Sequence, residues 1–121
     1  MKKLTCHCNG VEIQVSLPNG LKNLMKCNCS FCKRRGAIMA MVAYQDLKVV
    51  KGADLLKTYQ FHTKVAKHYF CSNCGIYTHH VRRSDPNMLG INVACIENIN
   101  PFELKDISIF DGIKHPLDQK K

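Results

Sequence analysis

The sequence predicts an all-β fold of mainly antiparallel folded sheets, with at most short helical turns. Three observations predict it. Short apolar runs, alternating or continuous, recur about every ten residues with turn-forming residues between them. Helical periodicity is scarce. The chain also carries eight cysteines in 121 residues, most in tight clusters beside those runs, where a shared metal ion can tie separate loops of a small β domain together.

Each element has its own warrant. Val11, Ile13 and Val15 alternate with Glu12, Gln14 and Ser16, the pattern of a half-buried strand, and Pro18-Asn19-Gly20 stops it. Cys6 and Cys8 fall at the start of this first strand. A short strand begins near Met25, with Cys27, Cys29 and Cys32 at its exit. Ala37 to Val42 is continuously apolar and too short for a core helix, so it reads as a strand covered on both faces. Leu47 to Val50 precedes Gly52. Leu55 to Phe61 and Val65 to Phe70 follow, rich in β-branched and aromatic residues, with His62-Thr63-Lys64 joining them as a hairpin. Cys71 and Cys74 form a turn before the strand Ile76 to Val81, and Gly75 supplies the left-handed position such a knuckle needs. A turn at Ser84-Asp85-Pro86-Asn87 leads into Leu89 to Ile96. Ile107 to Phe110 is the last strand, closed by Asp111-Gly112. Short helical turns are expected at Ser30 to Arg35 and Pro101 to Lys105. No repeat, linker or low-complexity stretch interrupts the chain, so residues 1–121 read as a single zinc-binding domain.

Composition narrows the function. An apolar fraction of 45% and a charged fraction of 22% are those of a globular chain. No apolar run approaches the ~20 residues of a membrane helix. Met1 to Lys3 run straight into Leu4-Thr5-Cys6 without an apolar signal stretch, so a cytoplasmic location is expected. In a reducing cytosol, clustered cysteines point to metal or catalysis rather than to disulfides. The formal charge of +9 falls to about +6 if seven thiolates hold two Zn2+ ions. Apart from Lys33-Arg34-Arg35, Arg82-Arg83 and the terminal lysines, the basic residues are scattered, which is weak support for nucleic-acid binding.

The clusters are Cys6-His7-Cys8, Cys27-Asn28-Cys29-Ser30-Phe31-Cys32 and Cys71-Ser72-Asn73-Cys74, with Cys95 alone. Cysteines two or three apart chelate one ion from a single tight turn. The natural division is two plus two, and three alone. Cys6, Cys8, Cys71 and Cys74 make a closed tetrahedral set, which is structural. Cys27, Cys29 and Cys32 leave one coordination position open, as in catalytic zinc sites. The plainer reading fills that position with Cys95 or a histidine. Cys95, at the end of Asn92-Val93-Ala94-Cys95, reads more naturally as a small buried apolar group. His79 and His80 point to opposite faces of their strand, so only one of them can approach the site. His7 reads as an outward-facing spacer. A site of three thiolates suits exchange of a soft ligand, a substrate thiol whose pKa the ion lowers for attack on an aldehyde carbon. Lys33, Arg34 and Arg35 could then hold the carboxylates of a thiol cofactor; the alternative is an exposed basic turn.

Cys6-His7-Cys8-Asn9-Gly10-Val11, Cys27-Asn28-Cys29-Ser30-Phe31-Cys32-Lys33-Arg34-Arg35-Gly36 and Phe70-Cys71-Ser72-Asn73-Cys74-Gly75 together resemble the glutathione-dependent formaldehyde-activating enzyme family, which also includes centromere protein V. The resemblance implies Mss4-like folded sheets built around two Zn2+ ions. One would be structural, on Cys6, Cys8, Cys71 and Cys74. The other would be catalytic and labile, on Cys27, Cys29 and Cys32, with glutathione approaching or displacing it. The implied reaction joins glutathione and formaldehyde reversibly as S-hydroxymethylglutathione, a carbon–sulfur lyase reaction in reverse. Tyr77, His79 and His80 are candidate bases. Two other functions compete: a zinc-folded module binding nucleic acid or protein through Arg34, Arg35, Arg82 and Arg83, and a metal store or redox sensor oxidised at Cys27, Cys29 or Cys32.

Overall fold

Before Pro18 the alternating stretch forms strand β2 (Glu12–Val15), with Ile13 and Val15 buried and Gln14 exposed. It is preceded by a strand absent from the sequence reading, β1 (Lys2–Thr5). Only Leu4 of its four residues is buried, so no apolar alternation announces it; antiparallel pairing with β2, Leu4 opposite Ile13, holds it instead. Cys6 and Cys8 therefore sit in the turn of a hairpin rather than at the start of the first strand. The computed structural model of the chain describes residues 1–61, 66–82, 85 and 87–111.

Strand β3 (Met25–Cys27) leads to the one-turn helix α1 (Cys32–Arg35), which stops at Gly36 in a left-handed conformation. Then come β4 (Met39–Ala43), a 3₁₀ turn at Tyr44–Asp46 and β5 (Leu47–Lys51). A second 3₁₀ turn at Ala53–Leu55 shortens the expected Leu55 to Phe61 strand to β6 (Leu56–Tyr59). Strands β7 (Lys67–Cys71), β8 (Tyr77–Val81), β9 (Met88–Asn92) and β10 (Ser108–Phe110) follow, with a further 3₁₀ turn at Pro101–Glu103. The connection expected at 62–64, residues 84 and 86 of the later turn, and Gly112 lie outside the described residues; β6 and β7 pair antiparallel as a hairpin requires.

The expected strand Leu89 to Ile96 is only half realised. It ends at Asn92, whose side chain accepts a hydrogen bond from the Ala94 amide at 3.2 Å and starts a 3₁₀ turn over Val93–Cys95. Local side-chain capping thus displaces the ladder, as asparagine commonly does. Cys95 ends this turn rather than a strand, and it is half-buried.

The strands form two sheets. One has the order β1-β2-β5, and the other has the order β10-β3-β4-β9-β8-β7-β6. Among the described residues all strand pairings are antiparallel except β10 with β3, which are parallel. Ile13 and Val15 from the smaller sheet meet Ala40, Val42, Leu89 and Ile91 from the larger one in a common apolar core. Each fully buried valine, leucine or isoleucine contributes about 1.5–3 kcal/mol. Cys6 and Cys71 belong to that core too, so one of the cysteine clusters is embedded where the sheets meet. Among the described residues no helix is long and apolar enough to cross a membrane.

Candidate metal centres

Cys6 and Cys8 come from the β1–β2 turn. Cys71 closes β7, and Cys74 lies in the following knuckle. That knuckle is shaped by hydrogen bonds from the Gly75 amide to the Cys71 carbonyl at 2.7 Å and from the Cys71 amide to the Ile76 carbonyl at 3.0 Å. Gly75, at φ 79°, takes the left-handed conformation expected of it. The four Sγ atoms all lie within 4.8 Å of one another. Cys6 and Cys8 sulfurs are 3.6 Å apart, and those of Cys8 and Cys71 are 3.7 Å apart. Sulfurs bound tetrahedrally at ~2.3 Å from one ion stand about 3.8 Å from each other, whereas a disulfide would bring them to ~2.05 Å. The spacing fits a shared ion, and the Val11 amide donates to Cys6 Sγ at 3.3 Å, as it would to a thiolate. With four sulfurs the set is closed.

Cys27 ends β3, and Cys32 begins α1. Their Sγ atoms and that of Cys29 also lie within 4.8 Å of one another. Backbone amides serve the sulfurs in series: Cys29 N donates to Cys27 Sγ at 3.5 Å, and Cys32 N donates to Cys29 Sγ at 3.3 Å. Arg35 Nη2 lies 3.5 Å from Cys32 Sγ. Hydrogen bonds from Cys27 and Cys32 hold the Cys29 thiol far below the usual thiol range, while contacts with Cys27 and Cys29 push Cys32 far above it. Three thiolates this close repel one another, so a cation among them favours their ionised forms.

No histidine or further cysteine among the described residues joins these three. Cys95 takes no part in either cluster. Its Sγ lies 3.7 Å from the Tyr77 carbonyl, and burial pushes its thiol up to about 12. It behaves as the small protonated group its setting suggests. His7, between Cys6 and Cys8, is exposed.

The three sulfurs open on a cavity of about 70 Å³, walled by methionines and by His68, His80 and Arg82. His68 and His80 are cross-strand partners on β7 and β8, and their stacked rings stand 5.3 Å apart. His80 Nδ1 is 2.7 Å from Tyr77 Oη. Burial, and after it the charge of Arg35, holds His80 well below the ordinary histidine range, so the ring is neutral. His79 faces the other way: it stacks on Tyr69 at 4.6 Å, lies 2.8 Å from Thr78 Oγ1, and is lowered to about 4 by burial.

The three basic residues after Cys32 part company. Lys33 and Arg34 are exposed. Arg35 turns inward, its guanidinium carbon 3.6 Å from the centre of the Tyr77 ring and 4.8 Å from that of Phe31. Its Nη1 is 3.1 Å from His68 Nδ1. Of the arginines read as a nucleic-acid patch, Arg35 is thus occupied internally and Arg82 lines the cavity. Only Arg34 is exposed, and Arg83 lies outside the described residues.

His68, Phe31 and Gly90 escaped the sequence reading. Phe31, between Cys29 and Cys32 in the chain, packs on His68 at 4.5 Å. Gly90 lies opposite His80 on β9, and a Cβ there would collide with the imidazole ring. A glycine inside a strand was the available signal, since it marks a close approach by a neighbour. Gly90→Ala is expected to cost about 1–3 kcal/mol by forcing the ring or the strand aside, measured as a lower midpoint of thermal or urea unfolding; unchanged stability would show that the ring has other room.

The family model described as glutathione-dependent formaldehyde-activating enzyme matches residues 1–110. The chain is also similar to a crystal structure of a Rhodobacter sphaeroides protein, with a TM-score of 0.86 and 54% identity, covering 89% of this chain and 99% of that one.

Proposed function

The chain belongs to the glutathione-dependent formaldehyde-activating enzyme family, and on that premise we propose that it catalyses the reversible addition of the glutathione thiol to formaldehyde or another small electrophile, the reverse being a carbon–sulfur lyase reaction. The observation that carries this reading is a cluster of three cysteines with no fourth ligand among the described residues, opening on a cavity of about 70 Å³. That volume admits a few water-sized groups and suits a small aldehyde; a tripeptide would reach in by its thiol alone. In this reading Cys6, Cys8, Cys71 and Cys74 hold a structural Zn2+, and Cys27, Cys29 and Cys32 hold a second. When bound there, zinc lowers the pKa of a substrate thiol and polarises an aldehyde oxygen. Residues 1–121 act as one zinc-folded cytoplasmic domain.

The chain's own groups divide the remaining work. Amides of Cys29 and Cys32 and the Arg35 guanidinium offset negative charge on the sulfurs. Since Arg35 is committed to His68, Phe31 and Tyr77, the glutathione carboxylates fall to the exposed Lys33 and Arg34. The methionine and phenylalanine walls of the cavity limit access of water.

The test is magnetisation-exchange NMR of glutathione with 13C-formaldehyde, comparing zinc-loaded protein with buffer. Faster interconversion of free thiol and S-hydroxymethyl adduct supports the assignment. An unchanged exchange rate at saturating glutathione rules it out.

A further inference from the structure

Resting on the activity just proposed, we infer that His80 is the residue that carries the proton between thiol and aldehyde oxygen, with Tyr77 as its positioning residue. Strand β8 delivers His80 to the cavity that Cys27, Cys29 and Cys32 share. The ring is fixed on two sides, by Tyr77 Oη 2.7 Å from Nδ1 and by the bare backbone of Gly90 beneath it. Nε2 has no hydrogen-bond partner among the described residues. A ring fixed in this way beside a small cavity is suited to a partner that enters with the ligand.

Tyr77 is braced in turn. The Arg35 guanidinium carbon lies 3.6 Å from the centre of its ring, and Nη1 is 3.1 Å from His68 Nδ1, so one cation contacts both residues. Nδ1–H can donate to the phenol oxygen, which leaves the Nε2 lone pair to the cavity. In the addition, the thiol proton passes to Nε2. The sulfur pair forms the C–S bond while the carbonyl π pair moves to oxygen, and Nε2 returns the proton to that oxygen. One thiol and one formaldehyde give one S-hydroxymethyl thioether without oxidation or reduction, and His80 ends neutral as it began. The reverse path uses the same atoms in the opposite order.

The test compares zinc-loaded wild type, His80→Gln and Tyr77→Phe, with glutathione and 13C-formaldehyde as probes. We expect H80Q to lower the turnover rate about 100-fold while glutathione affinity by calorimetry stays within about threefold. We expect Y77F, which keeps the ring, to lose on the order of tenfold. In wild type, glutathione should move the 15N resonance of His80 Nε2, which a purely packing role would leave in place. H80Q turning over at the wild-type rate, or Y77F doing so where H80Q does not fold, overturns the inference, as does an unmoved Nε2 resonance in a protein that binds glutathione. Failure of the parent reading is distinguishable, because wild-type protein itself would then give no acceleration, and the inference would fall with it.

Discussion

Replacing Cys71 with Ser is expected to leave a chain that does not hold its tertiary structure at room temperature. Cys71 is fully buried in the core and takes part in the four-sulfur set that links the β1–β2 turn to the β7–β8 knuckle. Binding of a structural zinc is worth about 10–16 kcal/mol, whereas the whole stability of a domain is about 5–15 kcal/mol. Serine removes a ligand and puts an unsatisfied hydroxyl among apolar side chains. The measurement is amide NMR dispersion with metal analysis: collapsed dispersion and loss of the tightly held ion are expected. A cooperatively folded C71S with an unchanged melting temperature would show that the apolar core between the two sheets suffices.

Cys29→Ser should behave in the opposite way, abolishing turnover while the fold survives. Its sulfur accepts from the Cys32 amide at 3.3 Å and lies within 4.8 Å of the other two, so its loss leaves only two sulfurs in the set. That set lies where β3 meets α1, outside the core cluster that contains Cys6 and Cys71. The expected outcome is glutathione–formaldehyde exchange at the buffer rate, one ion per chain rather than two, and a melting temperature within a few degrees of wild type. Global unfolding, or activity retained with a single ion, would contradict the assignment of separate structural and catalytic roles.

The contrast between these variants follows the way the cysteines could be read in advance. Cluster sizes of two, three and two already suggested which sulfurs share an ion, and the fold brings together the same two groups. Strands with clear alternation, such as Val11 to Val15, were legible because one face meets the core. β1 was not, since two of its four residues are exposed and pairing with β2 rather than composition makes it a strand. The run to Cys95 misled because β-branched and apolar residues continue past Asn92, while the Asn92 side chain has already diverted the backbone. The inward turn of Arg35 was equally hidden: three consecutive basic residues look alike in sequence, but on one turn of helix only Arg35 faces Tyr77 and His68. The His68–His80 pair depends on register between strands, which local pattern does not specify.

Two metal centres of different character, one closed and one open to a thiol, underlie both the fold and the proposed chemistry. Native mass spectrometry of freshly purified protein, with and without glutathione, tests this most directly. Two zinc ions per chain and a glutathione adduct that disappears in C29S together with one ion are expected. A single tightly held ion and no adduct at any glutathione concentration would contradict this, leaving a zinc-folded domain whose three remaining cysteines bind no substrate.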